Sequence, residues 1–250
     1  MSVFLGAYVG DQQASAIYLG DTLVWSASPF DPDAEAYIEA VEAADGEPLE
    51  YEVKQAVRAF IAGCKSDPSP NSGVSNWEAI KTACLMCVGR TLSGALVPLK
   101  GTDTPISSGF TDDDYERFVG ITGGSGKSVS SGRLNNVDPQ NNKSVSVYIS
   151  QPYAAATRTA TQGYLAAANA AGHTQLLTTY NAGKDEFNVF FRLNSTEGQA
   201  AITTTYPTIE GLFGASRTNG SQVATLINGG LSNQSNSSVT PSSGGGVGFN

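Results

Sequence analysis

Hydrophobic and polar positions follow three different rhythms along the chain, and each change of rhythm marks a new part. Residues 16–25, AIYLGDTLVW, form two short apolar runs around Gly20-Asp21, the pattern of a hairpin closed by a two-residue turn. Such a turn predicts Leu19 opposite Thr22, Tyr18 opposite Leu23, Ile17 opposite Val24 and Ala16 opposite Trp25. Ile17, Leu19 and Val24 then share one face, and Tyr18, Leu23 and Trp25 the other. Both faces are apolar. A lone two-stranded hairpin is marginal in water, so both need a cover.

From residue 31 the period lengthens to three and four. Asp31-Pro32 supplies an N-cap and an N1 proline, Tyr37, Ile38 and Val41 share a face, and Gly46 is a stop. Pro48 opens a second helix with Val53, Val57, Phe60, Ile61 and Cys64 on its inner stripe. Ser75-Asn76-Trp77-Glu78 is a capping box for a third, whose stripe is Trp77, Ile80, Cys84, Cys87 and Val88. Together they predict a small three-helix bundle, which covers one face of the hairpin and leaves the other to a neighbouring subunit or to the rest of the chain.

Beyond about residue 98 the period falls to two. Val145, Val147 and Ile149 alternate with Ser144, Ser146 and Tyr148; residues 187–193, FNVFFRL, form another run; and residues 211–216 pair through Asn219-Gly220 with 223–227. These strands predict an antiparallel β-sandwich. YLAAANAA, residues 164–171, fits a helical turn or a strand of small residues, and composition does not decide between them. The tail, SNQSNSSVTPSSGGGVGFN, reads as flexible and low in complexity, so either it is a disordered terminus or the sandwich is completed elsewhere. The expected fold is α+β: a hairpin segment at 1–29, a helical connector at 30–97 and a β-sandwich at 98–250.

Composition adds exclusions. With 40% hydrophobic residues the chain can build a core, and with net charge −9 and 14 scattered Lys and Arg it has no basic stripe for nucleic acid. MSVFLGAYVG lacks the basic start and apolar run of a secretion signal, and Arg90 interrupts the most apolar later segment, so no membrane span is expected.

The candidate chemistry thins out on inspection. Cys64, Cys84 and Cys87 all fall in predicted helix; with His173 the only histidine, a zinc set lacks ligands, and buried reduced thiols are expected. GGSGKS, residues 123–128, misses the phosphate-loop spacing because position 121 is Ile121, and VSSG follows where a helix is required. No G-x-S-x-G elbow is intact, and His173 has no acidic residue nearby to orient it. Asp112, Asp113, Asp114 and Glu116 suit a solvated turn or weak calcium binding better than an acid pair that shares one cleft. No catalytic residue, cofactor or metal is therefore expected.

Two groups of residues carry a family resemblance. AIYLGDTLVW resembles the YLGxTxVW hairpin near the start of many tailed-phage tail, fibre and appendage proteins. DPDAEAYIEAVEAADGEPLE, FIAGCK, WEAIK, GRTLSGALVPLKG and RLNNVDPQNNKSVSVYI are similar to phage-borne structural proteins. The likeness covers about residues 16–150 and loosens beyond. It implies a jelly-roll sandwich of laminin-G or concanavalin-A type, although the closing strands usual after GGGVGFN are lacking. It also implies a virion location, other virion proteins as partners, a possible host-surface glycan, and a homo-oligomer with a trimer preferred. On this reading Ile17, Tyr18, Leu19, Leu23, Val24 and Trp25 dock onto the particle. A glycan-binding recognition module, or a glycan-degrading enzyme on the same fold, is the alternative.

Overall fold

In the computed structural model, the backbone is described for residues 8–9, 12–13, 16–19, 22–26, 31–66, 73–101, 106–124, 126–151, 162–167, 173–181, 185–195, 201–206, 209–241 and 246–249. Side chains are described for 31–66, 73–101, 107–124, 126–151, Tyr164, 174–180, 185–195 and 209–241. The chain is α+β, and every described strand pairing is antiparallel. It divides into two compact units, 1–39 with 50–79 and 40–49 with 80–250.

In the first unit, β1 (Tyr8–Val9) pairs with β2 (Gln12–Gln13), and β3 (Ala16–Leu19) with β4 (Thr22–Ser26). The β3–β4 ladder begins as expected, with Leu19 opposite Thr22 and Tyr18 opposite Leu23. It then slips at a bulge, which sets Ile17 opposite Trp25 and Ala16 opposite Ser26. Val24 is the extra residue, so the predicted partition of this hairpin into two faces rests on a register that the backbone does not keep.

Helix α1 (Pro32–Asp45) starts at the Asp31 cap, whose Oδ1 accepts from the Asp33 and Ala34 amides at 3.0 and 3.4 Å, and stops at Gly46. Helix α2 (Tyr51–Ser66) buries Val57 and Ile61, but Phe60, expected inside, is exposed. Lys65 at its end meets Asp31 at 2.7 Å and Asp33 at 2.5 Å, and Trp77 Nε1 donates to Asp33. The Lys65 ammonium holds the Asp31 carboxyl below its ordinary range.

The third helix is corrected. Ser75 and Glu78 do form the capping box, but α3 (Asn76–Ala79) is one turn long, so among the described residues the helices do not reach the predicted extent. The second unit takes over at Ile80. There β5 (Ala83–Cys84) pairs with β6 (Pro98–Lys100), and the short helix α4 (Leu92–Ala95) lies between them in sequence. The apolar spacing of residues 77–88 mimicked a helix, yet its backbone is spent on a strand pair and turns; tertiary pairing overrode local period.

The remaining strands of this unit are β7 (Ile106–Ser108), β8 (Tyr115–Glu116), β9 (Gly120–Ile121), β10 (Ser128–Leu134), β11 (Lys143–Ile149), β12 (Gln162–Ala167), β13 (His173–Asn181), β14 (Glu186–Ser195), β15 (Ala201–Tyr206), β16 (Gly211–Arg217), β17 (Gln222–Ile227), β18 (Gly230–Ser235) and β19 (Gly246–Phe249). Seven of them order as β15-β14-β13-β12-β19-β10-β7 and four as β11-β16-β17-β18. One core joins the two sheets: Leu176, Phe187, Val189, Phe191 and Leu193 from the larger, and Ile149, Phe213, Ala215, Val223 and Ile227 from the smaller. Alternation in β14 and β11 aims these side chains inward, as the period of two predicts.

Two segments that composition leaves undecided or hides contain strands. YLAAANAA begins in a strand, β12, with residues 168–171 outside the described set. The tail, expected to be flexible, instead carries β19 at its residues 246–249, inserted between β10 and β12. Glycine lowers strand propensity and hid this strand, while pairing on both sides compensates for it.

Candidate functional site

The smaller sheet has an outward face free of charge. Along β11 the exposed positions are Ser144, Ser146 and Tyr148, and the register sets them beside Ser216, Gly214 and Leu212 of β16. Gly214 and Ser216 neighbour Leu226 and Ala224 of β17, which in turn face Leu231 and Asn233 of β18. Tyr148 is 67% exposed and Leu231 77%. Apolar groups thus gather at one end and hydroxyl and amide groups at the other, around a floor of small residues. β18 is held in place by the Asn228-Gly229 turn, both residues at positive φ, while the Asn228 side chain accepts from Leu212 N at 2.8 Å and donates to Glu210 O at 3.0 Å. Such a face offers contact area and hydrogen bonds to a ligand, but no acid or base.

A second exposed feature is the tip of the β8–β9 hairpin. Phe118 sits there at φ 66, 65% exposed, with the Arg117 guanidinium 4.6 Å from its ring centroid. Its amide donates to Cys87 O at 3.1 Å, which pins an uncommon backbone conformation.

The acidic run forms a single 3₁₀ turn, Asp112–Asp114, closed by a reciprocal Thr111–Asp114 box. Asp114 also pairs with Lys127 of the glycine loop, and that ammonium holds its carboxyl below the ordinary range. The loop runs directly into β10, a strand, so the helix that a phosphate loop requires is not there. Among the described residues no three His, Cys, Asp or Glu side chains gather as metal ligands. Asp112 and Asp113 stay exposed on the turn.

The sulfur positions are corrected too: Cys64 lies in α2 as expected, but Cys84 is on β5 and Cys87 in a turn. All three are reduced and only partly buried as residues. The Cys84 thiol donates to Ala95 O at 3.1 Å and Val97 O at 3.5 Å, and burial, with Cys87 beside it, pushes it up to about 12. Burial likewise raises the Tyr115 phenol to about 12. The native state therefore keeps protons that the unfolded chain releases above 9.0 for the thiol and 10.0 for the phenol, so stability falls as pH rises from about 9 to 12. Alkylation followed by peptide mass mapping at pH 8 should leave Cys84 unlabelled in the native protein and labelled in urea.

The six residues expected to dock, Ile17, Tyr18, Leu19, Leu23, Val24 and Trp25, all fall on β3 and β4, but their side chains lie outside the described residues, as does that of His173. What the sequence reading passed over is a polar seam at one end of the sheet core. Asn135, Lys143, Asn194 and Arg217 are buried there, and Asn194, at φ 52, donates to Gln140 O at 2.9 Å and accepts from Thr174 at 3.4 Å. The signal was present. Extending the inward series of β11 by one step reaches Lys143, and that of β16 reaches Arg217.

Fold and surface together define an α+β chain with two antiparallel sheets on one core and, among the described residues, an uncharged outward face on the smaller sheet. Compared with protein-family models, curated proteins and solved structures, the chain matches none. No described helix is long and apolar enough to cross a membrane.

Proposed function

We propose that this chain is a non-enzymatic structural component of a tailed-phage virion, a fibre, spike or decoration protein that docks through its N-terminal segment and presents its β-rich part outward. The finer reading of the fold belongs to the same proposal: the two sheets form a jelly-roll sandwich of laminin-G or concanavalin-A type. The observation that carries it is the standing of β3–β4 as a two-stranded sheet by itself, joined to no larger sheet among the described residues. So short a ladder gains little from its own hydrogen bonds, which favours a lid from another subunit. The partners are other virion proteins, and the assembly a homo-oligomer, a trimer by preference.

The uncharged outward face of β11-β16-β17-β18, with Tyr148 at one end, supports the second reading, a recognition module for a neutral host-surface glycan. A glycan-degrading activity has less support, because the acids at 112–116 sit in one solvated turn.

Deleting residues 1–28 tests the docking reading. Incorporation into particles should fall to background while the purified protein keeps its β-sheet circular dichroism. Unaltered incorporation combined with lost solubility would show that the hairpin belongs to its own chain's core, and binding of the free protein to host cells that Tyr148→Ala abolishes would favour recognition over docking.

A further inference from the structure

Lys143 opens β11 on the inward series that continues through Val145, Val147 and Ile149, so the strand carries its ammonium towards the core. Asn135 directly follows β10, and the residues between the two are the crossover from the larger sheet to the smaller. Lys143 Nζ donates to Asn135 Oδ1 at 2.5 Å and to Asn135 O at 2.9 Å. Asn135 is fully buried, and the Lys143 side chain is 3% exposed. The charged groups that face the pair are Asp138, with Oδ2 4.0 Å from Nζ, Arg133, which grips Asp138 with its guanidinium, and buried Arg217, which the register sets opposite Lys143 on the neighbouring strand.

We propose that Lys143 and Asn135 condense with one another to form an isopeptide bond across this crossover, with Asp138 as the proton carrier. Three features converge. First, Cγ lies one carbonyl bond, about 1.2 Å, beyond Oδ1, so Nζ is no more than about 3.7 Å from the carbon it attacks, close to a near-attack separation. Second, burial lowers the lysine to about 8, with Asp138 opposing that shift and Arg133 adding to it, so a fraction of the amine is neutral and nucleophilic near neutral pH. Third, condensation removes a buried charge whose nearest acceptors are neutral oxygens, and that is favourable in a dry site.

The step balances without a further reagent. Lys143 first gives the proton of its ammonium to hydroxide of the medium. The neutral amine adds to Asn135 Cγ, its N–H having polarised Oδ1, and a new C–N bond forms. Asp138, after a shift of about 1 Å into hydrogen-bond range, takes a proton from Nζ and passes it to Nδ2. The Cγ–Nδ2 bond breaks, ammonia leaves, and a secondary amide links the two side chains.

The test is the intact mass of the full chain after incubation at pH 8.5, with peptide mapping. The expected result is a mass one ammonia below that of the sequence, and a branched peptide in which Asn135 and Lys143 are joined. Asn135→Ala and Lys143→Arg should each show their full sequence mass, and Asp138→Ala should slow condensation roughly a hundredfold. A wild-type chain that keeps its full mass would overturn the proposal. So would loss of ammonia with Lys143 recovered as a free amine, since that is cyclisation at an asparagine and not a cross-link. Condensation at an unchanged rate in Asp138→Ala would remove Asp138 from the step.

Discussion

Replacing Arg217 with alanine is expected to lower the free energy of unfolding by about 4 kcal/mol, a large part of what holds a domain together. The guanidinium is fully buried at the end of β16, on the same side as Phe213 and Ala215. Its Nε donates to Leu193 O at 2.7 Å, and one terminal nitrogen donates to Asn236 O at 2.7 Å, with Asn219 O and Gln222 O at 3.3 and 3.5 Å. The other terminal nitrogen donates to Asn236 Oδ1. Among the described residues every partner is a neutral oxygen, so no carboxylate offsets the cost of burying the charge, and burial pulls the group below its ordinary pKa. What keeps it there is donor count: five N–H groups in a fixed fork serve carbonyls at the end of β14, in the β16–β17 turn and just after β18. Alanine leaves Leu193 O and Asn236 O buried without these donors, at about 1–3 kcal/mol each, and opens a cavity. Lysine, a single point donor, recovers only part, for a loss of about 2 kcal/mol. Urea titrations with an unchanged slope check both. An Arg217→Met variant as stable as the parent would show that the buried charge costs as much as its hydrogen bonds return.

Arg217 also shows how far the sequence can be read. Where one side of a strand is buried, the period of two places residues well: Val145, Val147 and Ile149 go inward, Ser144, Ser146 and Tyr148 outward, and FNVFFRL lies in a strand as read. Capping chemistry is equally local, so Asp31-Pro32 and Ser75–Glu78 mark two helix starts correctly. A cap fixes where a helix begins but not how far it runs. Beyond Ala79 the competing gain came from β6, some twenty residues ahead, and no window of sequence contains that comparison. β19 was hidden for the same reason: a strand rich in glycine has almost no local signal, and its existence depends on β10 and β12 leaving a gap between them. The polar seam was hidden by habit, because Lys and Arg at a strand end are usually assigned to solvent. The open face of the smaller sheet was legible only in part: the outward positions follow from alternation, but that Tyr148 and Leu231 lie on one surface depends on the order of four strands.

Gly94→Ala should cost about 3 kcal/mol, although alanine is the better helix former and the site lies in α4. The reason is a carboxylate. A Cβ on Gly94 would fall 2.1 Å from Asp45 Oδ1 and 2.5 Å from its Cγ. Asp45 is the last residue of α1, an unfavourable place for a negative charge against the helix dipole, so its presence there has to be explained by what it holds. Oδ2 accepts from Arg90 N at 2.7 Å, and Oδ1 from Thr91 N at 2.9 Å and Thr91 Oγ1 at 2.8 Å, while Thr91 Oγ1 accepts from Gly94 N at 3.2 Å. One carboxylate thereby anchors the turn from which α4 starts. Arg90 adds a clasp to Pro48 O, at 3.0 Å from a terminal nitrogen. The side chain cannot swing away from a new methyl group without releasing three charge-assisted hydrogen bonds, each worth about 1.5–3 kcal/mol. Asp45→Ala removes the same bonds by another route. The two substitutions should therefore be strongly non-additive: in a double-mutant cycle, Asp45→Ala with Gly94→Ala should be no less stable than the worse single variant, because the methyl group then meets no carboxylate. Additive losses would mean that the glycine is required by something other than Asp45.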